Sequence, residues 1–195
     1  MLLESLDLTL QSGQALVVTG HNGSGKSTFL RSLAGLLPPA SGRIRLLDAD
    51  EASVDIPSHA HYAGHLDASK ATLTARENLA FWQAMLVLPG FPAPMSPDEA
   101  LARLAVPHVA DLPVGYLSAG QRRRVGLARL LLAPRPLWLL DEPMTALDAK
   151  AQRIFTQCMR EHLASGGLIV AATHAPLGIE AMHLELGSPQ AEALS

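Results

Sequence analysis

Apolar and polar positions follow two periods along the chain, and the shorter period predicts strands. Between residues 4 and 10, leucines alternate with mostly polar residues, which is typical of a strand with one buried face. Continuous apolar runs appear further along, as expected for strands covered on both faces. The predicted strands are residues 4–10, 15–19, 43–47, 61–64, 136–140, 168–173 and 183–186.

Helical spacing of apolar residues predicts helices between these strands. The second predicted helix is followed by four prolines in nine residues, which indicates a stiff, irregular connection. Ser96 and Glu99 then predict a capping box, with Pro97 at the first helical position. The predicted helices are residues 28–37, 74–88, a segment starting at 96, 119–132 and 149–164, with a polar loop at 48–60.

The segment between the strand at 15–19 and the first helix has the composition of a phosphate-binding loop. It fits the pattern G-x-x-x-x-G-K-[ST], in which glycines allow backbone N–H groups to surround a phosphate. Lys26 supplies a positive charge for the β- and γ-phosphates, and the Ser27 hydroxyl is a candidate Mg²⁺ ligand. The residues of this loop are Gly20, His21, Asn22, Gly23, Ser24, Gly25, Lys26, Ser27 and Thr28.

Two acidic residues follow the apolar strand at 136–140. In an α/β sheet, ligands bind beyond the carboxyl ends of the strands, which is where Asp141 and Glu142 are expected. Asp141 is then placed to hold Mg²⁺, directly or through water. Glu142 is placed to polarise a water molecule that attacks a phosphate.

Composition and charge narrow the function. The chain has 195 residues, enough for one domain, and a net charge of −3, which does not indicate a broad nucleic-acid surface. The single cysteine, Cys158, excludes an internal disulfide and a cysteine-based metal site. No apolar run reaches the ~18–20 residues that span a bilayer. The N-terminus has early acids and no basic region, so no secretory leader is predicted.

Three further motifs resemble those of the ATP-binding-cassette (ABC) ATPases. Residues 117–121, Leu-Ser-Ala-Gly-Gln, resemble the LSGGQ signature, about 20 residues before Asp141. Residues 145–148 resemble the family's D-loop, and His174 after a buried strand resembles its switch histidine. With the phosphate loop, the resemblance covers about residues 20–174.

The resemblance implies an α/β fold, namely a P-loop NTPase core of the ABC ATPase type with an inserted helical subdomain. The core is expected at about 1–65 and 121–195, and the helix-rich stretch at about 66–120 is expected to form the subdomain. ATP and Mg²⁺ are the implied cofactors, and a head-to-tail dimer is the implied catalytic state. The resemblance implies that Lys26, Ser27 and the loop backbone hold ATP and Mg²⁺, and that Asp141 also holds the metal. It implies that Glu142 is the catalytic base and that His174 contacts the γ-phosphate. The signature closes over the ATP of the second copy and Asp148 couples the two sites; the signature residues concerned are Ser118, Gly120 and Gln121.

The chain departs from the ABC pattern at two places. His65 stands where most members have a glutamine that senses Mg²⁺ and water, so His65 is a candidate metal-sensing residue or an ordinary loop histidine. No aromatic residue precedes Phe29, although the family usually stacks adenine on an aromatic side chain upstream of the phosphate loop. The chain therefore looks as if it begins about one strand late: either the true start lies upstream of Met1, or adenine is held in another way. As it stands, the sequence predicts weaker ATP binding and a less complete sheet edge.

Several stretches are similar to one branch, the ATP-binding subunits of the cytochrome c biogenesis (haem exporter) system. This branch implies a polytopic membrane subunit of the CcmB type and cytochrome c maturation components as partners. It also implies a peripheral position on the cytoplasmic face of the inner membrane. The stretches are 61–65, Lys70, 73–79, 81–82, 111–114, 117–124 with its three consecutive arginines, and 135–138.

Other interpretations of these stretches stay open. Arginines 122–124 also fit a solvated helix face, and the chain could serve another small exporter or act as an ABC-type ATPase of cluster assembly. The residues implied for ATP hydrolysis are intact, which argues against a degenerate subunit with only a structural role. They are Lys26, Asp141, Glu142 and His174. The remaining histidines are scattered, so direct haem binding is not expected.

Overall fold

Seven strands and six α-helices are defined in the computed structural model, which describes residues 6–65, 67–86 and 95–187. The strands are Ala15–Thr19 (β1), Leu46–Leu47 (β2), Ser53–Val54 (β3), Ala60–Ala63 (β4), Leu137–Asp141 (β5), Leu168–Ala172 (β6) and Met182–Glu185 (β7). The helices are Lys26–Leu33 (α1), Ile56–His59 (α2), Ala75–Leu86 (α3), Pro97–Arg103 (α4), Ala119–Leu132 (α5) and Ala149–Ala164 (α6).

One compact unit contains the main sheet and comprises the described residues of 1–64, 135–142 and 159–195. Its five strands are all parallel, in the order β4-β5-β6-β1-β7. The side chains of Leu16, Leu30 and Leu139 are fully buried in its core. Parallel strands buried on both faces need continuous apolar runs, which is why the sequence of β1, β5 and β6 has them.

A second unit is helical and comprises residues 65–134 and 143–158. Helix α5 packs against both α3 and α4, and its buried residues include Leu127 and Leu130. Leu79 of α3 and Leu101 of α4 are buried as well. Helix α4 begins with the predicted capping box, in which Ser96 accepts from the Glu99 N–H and Glu99 accepts from the Ser96 N–H. No helix among the described residues is long and apolar enough to cross a membrane.

The α/β fold class is confirmed by this parallel sheet and its helices. The strand predicted at 4–10 is wrong for its described part, residues 6–10, because no described strand pairs with it there. Leu6, Leu8 and Leu10 still pack against the core at alternate positions, so the pattern correctly gives the buried face. Residues 4 and 5 lie outside the described part of the chain.

Other differences lie at element ends. Helix α1 ends at Leu33 and not at 37, because Gly35 adopts a left-handed φ of +72°. The predicted loop at 48–60 contains β3 and α2, since Asp55 caps α2 by accepting from the Ser58 N–H at 3.0 Å. The strand predicted at 43–47 is reduced to β2. The end of the helix predicted at 74–88 and most of the prolines that follow lie outside the described residues.

A histidine and a tryptophan stack inside the first unit. The ring of His162 in α6 lies parallel to the ring of Trp138 in β5, with 4.1 Å between their centroids. Gly167 leaves room for the imidazole, because a Cβ there would lie 2.3 Å from its Nε2 atom. Burial lowers the pKa of His162. The neutral form is therefore the one that the folded chain accommodates.

This burial makes stability depend on pH. The unfolded state, in which a histidine has an ordinary pKa near 6.5, takes up a proton at a pH where the folded state does not. We expect the free energy of unfolding to fall as pH drops from about 7 to 5. The slope should be smaller in His162→Gln and unchanged in His183→Gln, an exposed control. Urea unfolding followed by circular dichroism would measure it, and equal slopes in all three proteins would contradict the prediction.

Candidate active site

The register of the sheet brings three predicted motifs to one edge of the first unit. Ala172 of β6 is paired with Val18 of β1 on one side and with Asp141 of β5 on the other. The next residues continue the pairing, since the Thr173 N–H donates to Val18 O at 3.2 Å and the Glu142 N–H donates to Ala172 O at 2.8 Å. The phosphate loop, the acidic pair and the switch histidine segment therefore all leave the sheet at its carboxyl edge.

The phosphate loop joins β1 to α1 through a backbone that requires glycine. Gly20 has a φ of +138°, and a Cβ on it would lie 2.5 Å from Leu186 O and 2.6 Å from Ser24 Oγ. Gly25 has a φ of +100° at the N-cap of α1, where no side chain caps the helix. The first N–H groups of α1 are thus left for a ligand, and the positive end of the helix favours an anion.

Lys26 and Ser24 give this loop the chemistry of an anion site. The Lys26 ammonium donates to Gly20 O at 2.6 Å and to His21 O at 3.1 Å, so it lies over the loop backbone. Ser24 is 5% exposed, and its hydroxyl has no hydrogen-bond partner among the described residues. A buried polar atom without a partner is costly, and a phosphate oxygen is the kind of group that would satisfy it. These residues fit a nucleotide phosphate.

The candidate magnesium ligands also suit their role. Asp141 is 6% exposed at the end of β5, and Ser27 is half-buried in the first turn of α1. Both offer hard oxygen atoms, and Mg²⁺ in nucleotide sites takes one or two protein oxygens together with phosphates and water. The described residues contain no group of three or more His, Cys, Asp or Glu side chains that could hold a metal alone. The donor set therefore fits Mg²⁺ bound together with a phosphate.

Glu142 is held by a neighbour that the sequence did not single out. The Thr173 hydroxyl accepts from the Ala175 N–H at 3.0 Å and donates to Glu142 Oε2 at 3.1 Å. Because a lone pair of the Thr173 oxygen accepts the Ala175 N–H, the hydroxyl proton is directed at the Glu142 carboxylate. Thr173 is 1% exposed, whereas His174 is exposed. A polar residue at the end of an apolar strand, beside a candidate catalytic histidine, is the signal that could have identified Thr173.

Loss of the Thr173 hydroxyl should slow hydrolysis without weakening ATP binding. We expect Thr173→Val to lower kcat about tenfold, since a hydrogen bond to a charged group contributes about 1.5–3 kcal/mol. The KM for ATP should change less than about twofold, because nothing in the phosphate loop is altered. Thr173→Ser is the control and should restore most of kcat. Equal losses in the Val and Ser variants would contradict a role for the hydroxyl.

The signature segment lies in the second unit, at the start of α5. Ser118 caps the helix by accepting from the Gln121 N–H at 3.2 Å, and Gln121 Oε1 accepts from the Ser118 N–H at 2.9 Å. Gly120 packs against the D-loop, where a Cβ would lie 2.8 Å from Ala146 O. The Asp148 carboxylate accepts from the Ala151 N–H at 2.7 Å, and this bond lowers the pKa of Asp148. The unit thus joins the signature and the D-loop.

His65 and the three arginines belong to the second unit as well. The His65 side chain is exposed. The interpretation of a solvated helix face is wrong for Arg123, which is 6% exposed and ion-paired with Asp67 at 3.1 Å. Arg122 and Arg124 are half-buried and donate to backbone carbonyls: Arg122 to Leu117 O, and Arg124 to Gly120 O and Ala105 O.

Comparison with known proteins identifies the class to which the fold belongs. Residues 3–145 match the family model described as ABC transporter. A putative ABC transporter ATP-binding protein from Pyrococcus furiosus superposes with a TM-score of 0.73 at 21% identity, covering 92% of this chain and 87% of that chain. The ATP-binding cassette MJ0796, solved as a dimer in a post-hydrolysis state with ADP and Pi, gives a TM-score of 0.75 at 24% identity, covering 96% and 89%. The class is therefore an ABC ATPase domain.

Similar proteins narrow the class from ABC ATPases in general to one family. The cytochrome c biogenesis ATP-binding export protein CcmA of Rhodopseudomonas palustris (strain BisB5) is 48% identical over 185 residues, covering 95% of this chain and 90% of the relative. The protein of the same name from Nitrobacter winogradskyi is 50% identical over 182 residues, covering 93% and 88%. The chain belongs to the CcmA family of ABC transporter ATP-binding proteins. The resemblance seen in the sequence motifs is confirmed.

Proposed function

We propose that this chain is the energy-coupling ATPase of a cytochrome c biogenesis exporter, working as a head-to-tail dimer on a polytopic membrane subunit of the CcmB type. Membership of the CcmA family makes it an ATP-binding protein and an ATP hydrolase. The observation that carries the assignment to cytochrome c biogenesis is the 48–50% identity to CcmA proteins over more than nine-tenths of the chain. The shared sheet edge, where the phosphate loop, Glu142 and His174 follow paired strands, supports ATP hydrolysis by these residues. The proposed location is peripheral, on the cytoplasmic face of the inner membrane.

The residues of the phosphate loop bind the triphosphate. The Lys26 ammonium donates hydrogen bonds to the carbonyls of Gly20 and His21. When ATP enters, the ammonium exchanges these partners for phosphate oxygens. The Ser24 hydroxyl and the uncapped N–H groups of α1 supply further donors. Ser27 and Asp141 would hold Mg²⁺, which neutralises developing phosphate charge when it is bound.

Glu142 acts on the attacking water. Its carboxylate, fixed by the Thr173 hydroxyl, orients the water molecule and accepts its proton. The water oxygen bonds to the γ-phosphorus while the bond from that phosphorus to the bridging oxygen breaks, and ADP leaves with the electron pair of the broken bond. His174 follows Thr173 on an exposed turn and is the proposed contact to the γ-phosphate. The positions of both residues follow from β5 and β6 ending side by side.

The second unit supplies the groups that act on the other copy. Ser118 and Gly120 are proposed to close over ATP that is bound by a second copy, with Asp148 linking the two sites. The capping box holds Ser118 at a helix N-terminus, where its N–H neighbours favour a phosphate. Gly120 packs on the D-loop, so the signature and Asp148 are expected to move together. Dimer closure would then drive the membrane subunit.

A pull-down from solubilised membranes tests the partner. The bait is tagged Glu142→Gln protein incubated with ATP, which should hold the closed dimer, and the control bait is Lys26→Ala. Recovery of a small polytopic membrane protein with haem-handling partners, identified by mass and by haem absorbance, is the expected result.

Two other outcomes would overturn the cytochrome c assignment. An unrelated permease would indicate another small exporter. Only soluble prey would favour a cluster-assembly ATPase. In both cases, ATP hydrolysis by the purified protein would show that the assignment as an ATPase stands and that only the proposed partner is wrong.

A further inference from the structure

The turn that follows β7, at residues 186–187, lies against the phosphate loop within the first unit. The Leu186 N–H donates to Thr19 O at 2.9 Å, so the pairing of β7 with β1 continues up to the start of the loop. The Leu186 carbonyl then lies against Gly20, where a Cβ would be 2.5 Å from its oxygen. Leu186 is 1% exposed. The turn therefore fixes the backbone at the point where the phosphate loop begins.

Gly187 leaves the space that the ring of His21 occupies. Gly187 has a φ of +84°, a left-handed conformation that glycine adopts readily. A Cβ at this position would lie 3.1 Å from His21 Nε2 and 3.4 Å from His21 Cδ2, which is closer than nonbonded atoms usually pack. The nearest Ser24 atom, its Cβ, would be at an ordinary contact distance of 3.6 Å. A side chain at residue 187 would therefore displace the imidazole first.

The His21 ring in turn holds the backbone of the phosphate loop. His21 Nδ1 lies 2.9 Å from Asn22 O, and because a carbonyl oxygen only accepts, Nδ1 is the donor. The Asn22 carbonyl and the Gly23 N–H belong to one peptide plane, so this hydrogen bond also fixes the direction of a loop N–H group. The Ser24 N–H donates to His21 O at 3.1 Å and closes the same turn.

These contacts are independent of Lys26. In the structure the Lys26 ammonium donates to Gly20 O and His21 O, and both carbonyls lose this donor when the ammonium turns to the phosphates. The turn at 186–187 and the His21 ring use other atoms, so they still hold the loop after that exchange. A loop that is already in its binding shape loses less conformational freedom when ATP binds, which raises the affinity.

We infer that the turn at 186–187 positions the phosphate loop for ATP, with Gly187 acting through the His21 ring on the peptide between Asn22 and Gly23. Gly187 is a positioning residue, since its effect passes through the loop and not through contact with the nucleotide. The inference rests on the proposed function, because it requires residues 20–28 to bind the triphosphate.

The test is a double-mutant cycle on ATP affinity, measured by titrating the full-length chain with a labelled ATP. Gly187→Ala and His21→Ala should each raise the Kd about fivefold, since each removes the hydrogen bond to Asn22 O, and fivefold corresponds to about 1 kcal/mol. The double variant should bind ATP like His21→Ala, because the atoms that the new Cβ would displace are gone. The kcat at saturating ATP should stay within about twofold in all three variants, as expected when only ground-state binding is lost.

Gly42→Ala is the matched control for the backbone. Gly42 belongs to the same unit and has a φ of +78°, but a Cβ there would meet no atom within 4 Å. The substitution therefore imposes a similar backbone strain without the contact, and the Kd should stay within about twofold. Without ATP, both alanine variants should lose a similar few degrees of Tm. The rise in Tm at a fixed ATP concentration should be smaller in Gly187→Ala alone.

Three results would overturn the inference: parental ATP affinity in Gly187→Ala, an equal loss of affinity in Gly42→Ala, or losses that add in the double variant. A parental chain that binds no ATP would instead refute the proposed function, and the inference with it.

Discussion

Glu142→Gln protein should bind ATP with the affinity of the parent and hydrolyse it about 100-fold more slowly or worse. A positioned general base contributes about 10²–10⁴-fold, and glutamine keeps the shape of the side chain but cannot accept the proton. The Thr173 hydroxyl would still find an oxygen acceptor at position 142, so the local structure should persist. The measurements are phosphate release at saturating ATP and ATP affinity from equilibrium binding.

The control for this variant is Glu180→Gln, which removes the same charge from an exposed residue of the same unit. It should hydrolyse ATP at the parental rate. A Glu142→Gln enzyme that keeps more than about a tenth of parental kcat would mean that another group activates the water. Asp141 would then be the residue to examine, since it ends the same strand.

Lys26→Ala should lower the affinity for ATP about 100-fold. The ammonium makes charge-assisted contacts to the phosphates, and each such contact contributes about 1.5–3 kcal/mol. Two carbonyls of the loop, Gly20 O and His21 O, also lose their donor, so the loop itself becomes less ordered before ATP binds. Equilibrium dialysis or fluorescence titration with a labelled ATP gives the affinity directly.

Arg31→Ala is the matched control, because Arg31 is an exposed cation in the last turn of the same helix. It changes net charge by the same amount and should leave the affinity within about twofold. If both variants bind ATP equally well, the phosphate contacts come from the loop backbone alone. Lys26 would then be an ordinary first-turn lysine.

The elements with the strongest local patterns were predictable from the sequence. Strand β1 and helix α5 have the bounds that their apolar runs indicate, and the capping box at Ser96 forms as its residue types require. Residues 6–10 show the limit of this reasoning. Their alternation gave the buried face correctly, but a strand also needs a pairing partner, which no local pattern specifies.

The residues of the candidate site also differ in whether the sequence alone could identify them. The glycine loop and the acidic pair have chemistry that is visible in the residues themselves. Thr173 was not recognised, because its role depends on a contact with Glu142, which is distant in sequence. Asp67 likewise reads as a loop acid until Arg123 is seen beside it. Chemistry that lies within one segment can be inferred from sequence, whereas chemistry assembled across segments requires the fold.

The contact between Gly20 and Leu186 has a consequence for the nascent chain. Strand β1 is paired on both sides by strands from the last third of the protein, and the carbonyl of Leu186 lies against the phosphate loop. A ribosome-bound chain that lacks β6 and β7 has the whole loop sequence but neither neighbour of its strand. Such distant pairings form slowly and late. The strand that leads into the phosphate loop is therefore expected to gain both of its neighbours only after β6 and β7 have been synthesised.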